Sequence, residues 1–189
     1  LESFTIWMRL LKAVPGSVLW LVKPNAWAMR HLIAEAARRG VAAERIVFAP
    51  YLESRGDHLA RLALADLFLD TWPFGAHSSA ADALRAGVPV LTYKGAAFAS
   101  RVAASLLSAA GLPDLIADSP EDYEALALRI ARDGAWRATL KAALREARTA
   151  SPLFDTARYT RHLEAAYLAM WERHRRGETP ESFSVPASL

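Results

Sequence analysis

The segment Asp70-Thr71-Trp72-Pro73-Phe74-Gly75-Ala76-His77-Ser78-Ser79-Ala80-Ala81-Asp82 gathers a histidine, two consecutive hydroxyls and a carboxylate next to a glycine-containing loop. Two serines in a row at the start of a helix offer hydroxyl and amide donors together, which suits phosphate oxygens with several lone pairs. Asp82 follows Ser78 by four positions and so rises from the same side of the first turn. A carboxylate beside a phosphate would repel it. One reaching past it can accept hydrogen bonds from a ribose diol, so the pattern favours a nucleotide over a bare phosphate. The plain alternative is that Ser78 caps the helix and Asp82 favours its dipole.

A second group, Arg55, His58 and Arg61, recurs every three residues after the run RIVFA. On a helix these side chains share one inclined face, and their planar groups can stack on a flat base or pair with phosphate. A solvated polar face has the same spacing. Other chemistries lack their parts: G-x-G-x-x-G, G-x-x-x-x-G-K-[ST], H-E-x-x-H and G-x-S-x-G do not occur, and there is no cysteine. Asp66, Asp70 and Asp118 fall at element ends, where capping accounts for them, and the tryptophans are expected to pack.

The elements that must hold these groups alternate. A first helix spans Ser3 to Val14, followed by a turn at Pro15-Gly16-Ser17 and a strand at Val18 to Val22. Asn25 is placed to cap a helix from Trp27 to Arg39, which Gly40 ends. The pattern predicts strands at Arg45 to Ala49, Leu67 to Leu69, Pro89 to Tyr93 and Asp114 to Ala117. Helices are predicted at His58 to Ala65, Ser78 to Ala86, Phe98 to Ala110 and Glu121 to Arg132, the last capped by Ser119. Continuous apolar strands alternating with helices predict an α/β fold, a doubly wound parallel sheet with helices on both faces and its ligand at the carboxyl ends of the strands. From Gly134 only helices follow, Ala135 to Ala147 and Asp155 to Arg175. The second has an apolar stripe of Tyr159, Leu163, Ala166, Tyr167, Met170 and Trp171. Residues 1–176 read as one domain and 177–189 as a tail.

With 189 residues, 53% of them hydrophobic and 23% charged, the chain has the material for one packed domain. No apolar run of membrane-spanning length and no secretory leader pattern is seen, and the lack of cysteine fits a reducing compartment, so a cytoplasmic protein is expected. A net charge of +3 is small for a nucleic-acid stripe, and no nucleic-acid or membrane partner is expected. The chain starts at Leu1 inside helical periodicity, which suggests a piece of a longer protein.

The stretch from Arg45 to Leu107 resembles the O-linked N-acetylglucosamine transferase family. The residues that carry the resemblance are Ala65-Asp66, Leu69-Asp70-Thr71, His77-Ser78-Ser79 with Asp82, Ala86-Gly87-Val88-Pro89-Val90 and Ala99-Ser100-Arg101-Val102-Ala103, and it continues through Ser151 to Trp171. The resemblance implies the C-terminal, Rossmann-like half of a GT-B glycosyltransferase. By position it places the diphosphate of a UDP-sugar at His77, Ser78 and Ser79, the ribose at Asp82 and the uracil near His58 and Arg61, with Arg55 where the family often has lysine. The family commonly has Thr-Thr where Ser78-Ser79 stand. It also implies transfer of N-acetylglucosamine from UDP to a Ser or Thr hydroxyl of an acceptor protein, with inversion and without a required metal or other cofactor. An N-terminal GT-B half beside tetratricopeptide repeats would supply the acceptor surface and the catalytic groups, which are expected outside this chain. Relatives using UDP-glucose or GDP-fucose, and a non-catalytic interaction scaffold, are the other readings.

Overall fold

The computed structural model describes residues 2–186. Five short strands alternate with helices: α1 (Glu2–Ala13), β1 (Leu19–Val22), α2 (Ala26–Arg38), β2 (Ile46–Ala49), α3 (Arg55–Leu62), β3 (Phe68–Leu69), α4 (Ser78–Arg85), β4 (Val90–Tyr93), α5 (Val102–Ala109), β5 (Ile116–Ala117) and α6 (Pro120–Arg132). Two further helices, α7 (Gly134–Ala150) and α8 (Thr156–Arg175), follow among the described residues. Every strand pairing is parallel, as helical crossovers require. This is the Rossmann-like α/β architecture that the alternation predicts.

The sheet comes in two sections, β1-β2 and β3-β4-β5. In the first, Leu19 faces Ile46 and Val22 faces Ala49; in the second, Phe68 faces Val90 and Tyr93 faces Ala117. Helix α1 joins them. Its Met8 and Leu11 pack with Leu19, Ala36, Val41 and Ile46 on the first section, while Ile6 and Leu10 pack with Leu91, Ala117, Tyr123 and Ala127 on the second. β4 is covered on both faces, and Val90, Leu91 and Thr92 are completely buried. That is why its sequence lacks the apolar–polar alternation of a half-exposed strand, the buried Thr92 placing its hydroxyl on Asp70. A third cluster, including Leu84, Val88, Leu107, Leu115, Ile130 and Leu144, packs α4, α5, α6 and α7 together.

Several elements differ from the periodicity. α3 begins three residues before the predicted His58 because the Ser54 hydroxyl accepts from the Asp57 amide at 3.3 Å and caps the helix there. This puts Arg55 in the first turn. Residues 98–100 form a separate short turn, closed by the Ser100 hydroxyl on the Ala97 carbonyl, and α5 starts only at Val102. The predicted apolar stripe of α8 is not a core face. No residue of α8 is buried, and Tyr159, Tyr167, Leu168, Met170 and Trp171 are exposed, because the helix packs chiefly on the turn at Pro152–Phe154. Trp27 and Trp171 are likewise exposed rather than packed. Residues 177–186 carry no helix or strand, and Arg173 holds them through the Thr179 carbonyl and the Glu181 carboxylate. The remainder of the predicted tail, 187–189, lies outside the described residues.

Candidate functional site

The loop between β3 and α4 is organised from inside by one carboxylate. Asp70 follows the last residue of β3 and is only 2% exposed. Its Oδ1 accepts from the amides of Thr71 at 2.7 Å and Ala76 at 2.6 Å, and its Oδ2 accepts from the Thr92 hydroxyl of β4 at 2.7 Å. Burial raises the Asp70 pKa above the ordinary carboxylate value, and the three donors oppose that shift, as does His77 when it is protonated. The Tyr123 hydroxyl donates to the Asp70 carbonyl at 2.9 Å, and burial pushes that phenol's pKa upward as well. Trp72 meets Tyr93 and Tyr123 edge-on.

Gly75 sits in a tight place: a Cβ there would stand 3.1 Å from Asp70 Oδ2 and 3.2 Å from the Ala99 carbonyl, so one of them would have to give way. That carbonyl accepts from the Gly75 amide at 2.9 Å and lies 3.2 Å from His77 Nε2. The loop is thereby tied to the turn that precedes α5. His77 occupies the N-cap position of α4, and no side chain caps the first turn. Ser78 and Ser79 follow as exposed residues of that turn. Amides without a side-chain cap and two exposed hydroxyls therefore lie beside a half-buried imidazole, at the positive end of a helix dipole and the carboxyl end of a parallel strand. Ser78 is a helical residue rather than the cap, so helix capping does not account for the serine pair.

The second group meets the first through Asp82. Arg55 Nη2 donates to Asp82 Oδ1 at 3.0 Å, and His58 Nε2 stands 3.9 Å from Asp82 Oδ2. The α3 face predicted from spacing is real. Arg55, His58 and Arg61 line a cleft of about 410 Å³ together with Val22, Tyr51, Leu52 and Glu53. Arg61 is already engaged, since its guanidinium donates to the Pro50 carbonyl and lies over the Trp20 ring. The cleft thus has an apolar wall at Val22 and Leu52, planar side chains and a carboxylate at one end, a composition that accepts a flat polar ring.

All seven residues singled out by spacing therefore lie along the carboxyl ends of β2 and β3. Asp82 links Arg55 and His58 directly, His77 to Ser79 form the start of α4, and Arg61 braces the far side of the cleft. Sequence reasoning missed Asp70, Gly75 and the Ala99 carbonyl as supports of the loop. Asp70 was taken for a helix or strand end. The available signal was a lone acid closing an apolar strand, followed by a glycine five residues later. Of the other two acids read as caps, Asp66 pairs loosely with Arg137 and Lys141 at 3.5 and 3.6 Å. Among the described residues no helix is long and apolar enough to cross a membrane, and no group of three or more His, Cys, Asp or Glu side chains is gathered for a metal ion.

Comparison with known proteins gives concordant matches. The family model described as Glycosyl transferase family 41 matches residues 2–163. The chain is 39% identical over 186 residues to the probable UDP-N-acetylglucosamine-peptide N-acetylglucosaminyltransferase SEC of Arabidopsis thaliana, covering 97% of this chain and 19% of that protein. It is 35% identical over 176 residues to the UDP-N-acetylglucosamine-peptide N-acetylglucosaminyltransferase of Caenorhabditis elegans, covering 93% of this chain and 15% of that one. A solved structure of a Thermobaculum terrenum O-GlcNAc transferase mutant superposes with a TM-score of 0.87 at 32% identity, over 94% of this chain and 34% of the other. The chain therefore spans less than a fifth of the length of these curated relatives.

Proposed function

The chain belongs to glycosyl transferase family 41, and from that membership we propose that it is the donor-binding half of a GT-B protein O-GlcNAc transferase. It holds UDP-N-acetylglucosamine while the sugar passes, with inversion, to a Ser or Thr hydroxyl of an acceptor protein. The observation that carries this reading is the Asp82 clasp, which joins the uncapped start of α4 to the cleft on α3. An anion site and a flat-ring site lie side by side, with a carboxylate between them at the place a ribose needs.

Each residue then has a role. The uracil lies in the cleft against His58 and Arg61, the ribose hydroxyls donate to Asp82, and the diphosphate accepts from His77, Ser78, Ser79 and the first amides of α4. Arg55 adds charge at the rim. When the sugar leaves, negative charge grows on the UDP oxygens, and donors already fixed around them stabilise it without reorganising. In this reading the charge is met by protein groups and no metal ion is required. The groups that activate the acceptor hydroxyl, the acceptor surface and any tetratricopeptide repeats belong to an N-terminal half. The absence of cysteine suits a cytoplasmic setting.

The test is calorimetric titration of UDP into the intact protein and its Asp82→Ala variant, with GDP as control. The expected result is UDP binding that the variant weakens by about 1–3 kcal/mol, the range for hydrogen bonds to a charged group. A preference for GDP would move the donor to a guanosine sugar. No affinity for either nucleotide would overturn the donor-site reading in favour of an interaction scaffold.

A further inference from the structure

The orientation of His77 restricts the form in which it can meet an anion. Its Nε2 lies 3.2 Å from the Ala99 carbonyl, an oxygen that only accepts. Nε2 must therefore carry a proton and donate. In a neutral imidazole the other nitrogen, Nδ1, then holds a lone pair, and a lone pair repels phosphate oxygens. Only the doubly protonated ring has an N–H left to give. The same Ala99 carbonyl also takes the Gly75 amide at 2.9 Å, and this second tie fixes the turn that holds the ring.

Two aromatic rings and a buried carboxylate surround the imidazole. Phe74 stacks on the imidazole at 5.2 Å between centroids with a 21° tilt, and Phe98 meets it edge-on at 6.2 Å. Aromatic faces attract cations. The charged groups around it come from each neighbouring segment. Asp70 in the same loop attracts the ring by charge, its oxygens being occupied by Thr71, Ala76 and Thr92. Asp82 on α4 is paired to Arg55 of α3 and stands near His58. An anionic ligand at the start of α4 would meet the ring there.

We infer that His77 binds the diphosphate as an imidazolium locked by the Ala99 carbonyl, so that binding of a nucleotide sugar takes up one proton at His77 Nδ1. The inference rests on the donor-site reading above. The step is a proton transfer from water or buffer to Nδ1, and no bond in the ligand is made or broken. A histidine is suited to it because imidazole titrates near neutrality.

The test is calorimetry of UDP-N-acetylglucosamine with the intact protein in buffers of different ionisation enthalpy, at about pH 8, where most imidazoles are neutral. The nucleotide sugar is the probe because its diester diphosphate has no group titrating in that range. The expected result is uptake approaching one proton per ligand bound, with affinity falling by up to about tenfold per pH unit on the alkaline side. His77→Gln, whose amide can still donate to Ala99, should lose the uptake, while His58→Gln should keep it. Nitrogen chemical shifts of the His77 ring, read with and without ligand, give the same answer in the unmutated protein. Binding without proton uptake, or uptake that disappears in His58→Gln, overturns the inference and leaves the donor site standing. Absence of binding overturns the donor-site reading itself.

Discussion

Replacing Asp70 by alanine should cost far more stability than replacing it by asparagine. The carboxylate is 2% exposed and accepts from two amides and a hydroxyl at 2.6 to 2.7 Å. Alanine leaves the buried Thr92 hydroxyl and two partly buried amides without partners, at about 1–3 kcal/mol each, and the removal of a buried charge offsets part of that. A net loss of about 3–5 kcal/mol is expected, a large part of the roughly 5–15 kcal/mol that holds a domain together. Asparagine can present its oxygen to the two amides and its amide group to Thr92, whose hydroxyl can also accept. Its cost should be about 1 kcal/mol. The pH dependence has a definite sign. Burial raises the folded-state pKa of Asp70 above the unfolded value. Its contribution to stability is therefore complete below the unfolded pKa and declines as pH rises through the folded pKa, a loss that Asp70→Asn should not show. Urea unfolding of the three proteins from about pH 4 to about pH 8 measures both effects. The reasoning fails if Asp70→Ala unfolds at the wild-type midpoint, or if the asparagine variant is as unstable as the alanine one.

Gly75→Ala should displace the loop, since its Cβ would meet Asp70 Oδ2 and the Ala99 carbonyl at 3.1 and 3.2 Å. The expected result is weaker UDP binding by about tenfold or more, roughly 1.4 kcal/mol, with a smaller effect on the unfolding midpoint. Tyr123→Phe removes the donor to the Asp70 carbonyl and should cost about 1 kcal/mol in urea unfolding without changing the far-ultraviolet circular dichroism spectrum.

The sequence made the α/β class and the positions of β1, β2 and β4 legible because those strands are continuous apolar runs bounded by turn residues. Helices with a clear cap were placed well, as Ser119 before α6 illustrates. α3 was placed late because Ser54 was not weighed as a cap, and the exposed Leu64 extended the apolar pattern beyond the helix end. The stripe on α8 is legible in the sequence, but its exposure is not, because periodicity records amphipathicity and not what covers it. The polar groups of the site were legible because hydroxyls and charges at the start of a helix have few structural duties. Asp70 was not, because a buried acid and a capping acid look alike in sequence. What separates them is the Thr92 hydroxyl on the neighbouring strand and the fold of the loop back onto Ala99, contacts between residues more than twenty positions apart.

The two parts of the site are carried by different sheet sections, the cleft by β1 and β2 and the anion loop by β3. They are connected by the packing of α3 on α4, which includes the Arg55 to Asp82 pair, and by the helix α1. The ion pair and the apolar packing differ in strength. Arg55 is 72% exposed at its side chain, and an exposed ion pair contributes about 0–1 kcal/mol. On α1, Ile6 and Leu10 are buried against the second section and Met8 and Leu11 against the first, and each such side chain contributes about 1.5–3 kcal/mol. The spacing between cleft and anion loop is therefore held by packing, that of α1 included, and the ion pair can open without disturbing it. That suits a ligand whose hydroxyls compete for Asp82. Binding would displace a weak contact rather than a structural one, and the released Arg55 guanidinium would remain at the rim, next to the negative charge the ligand brings.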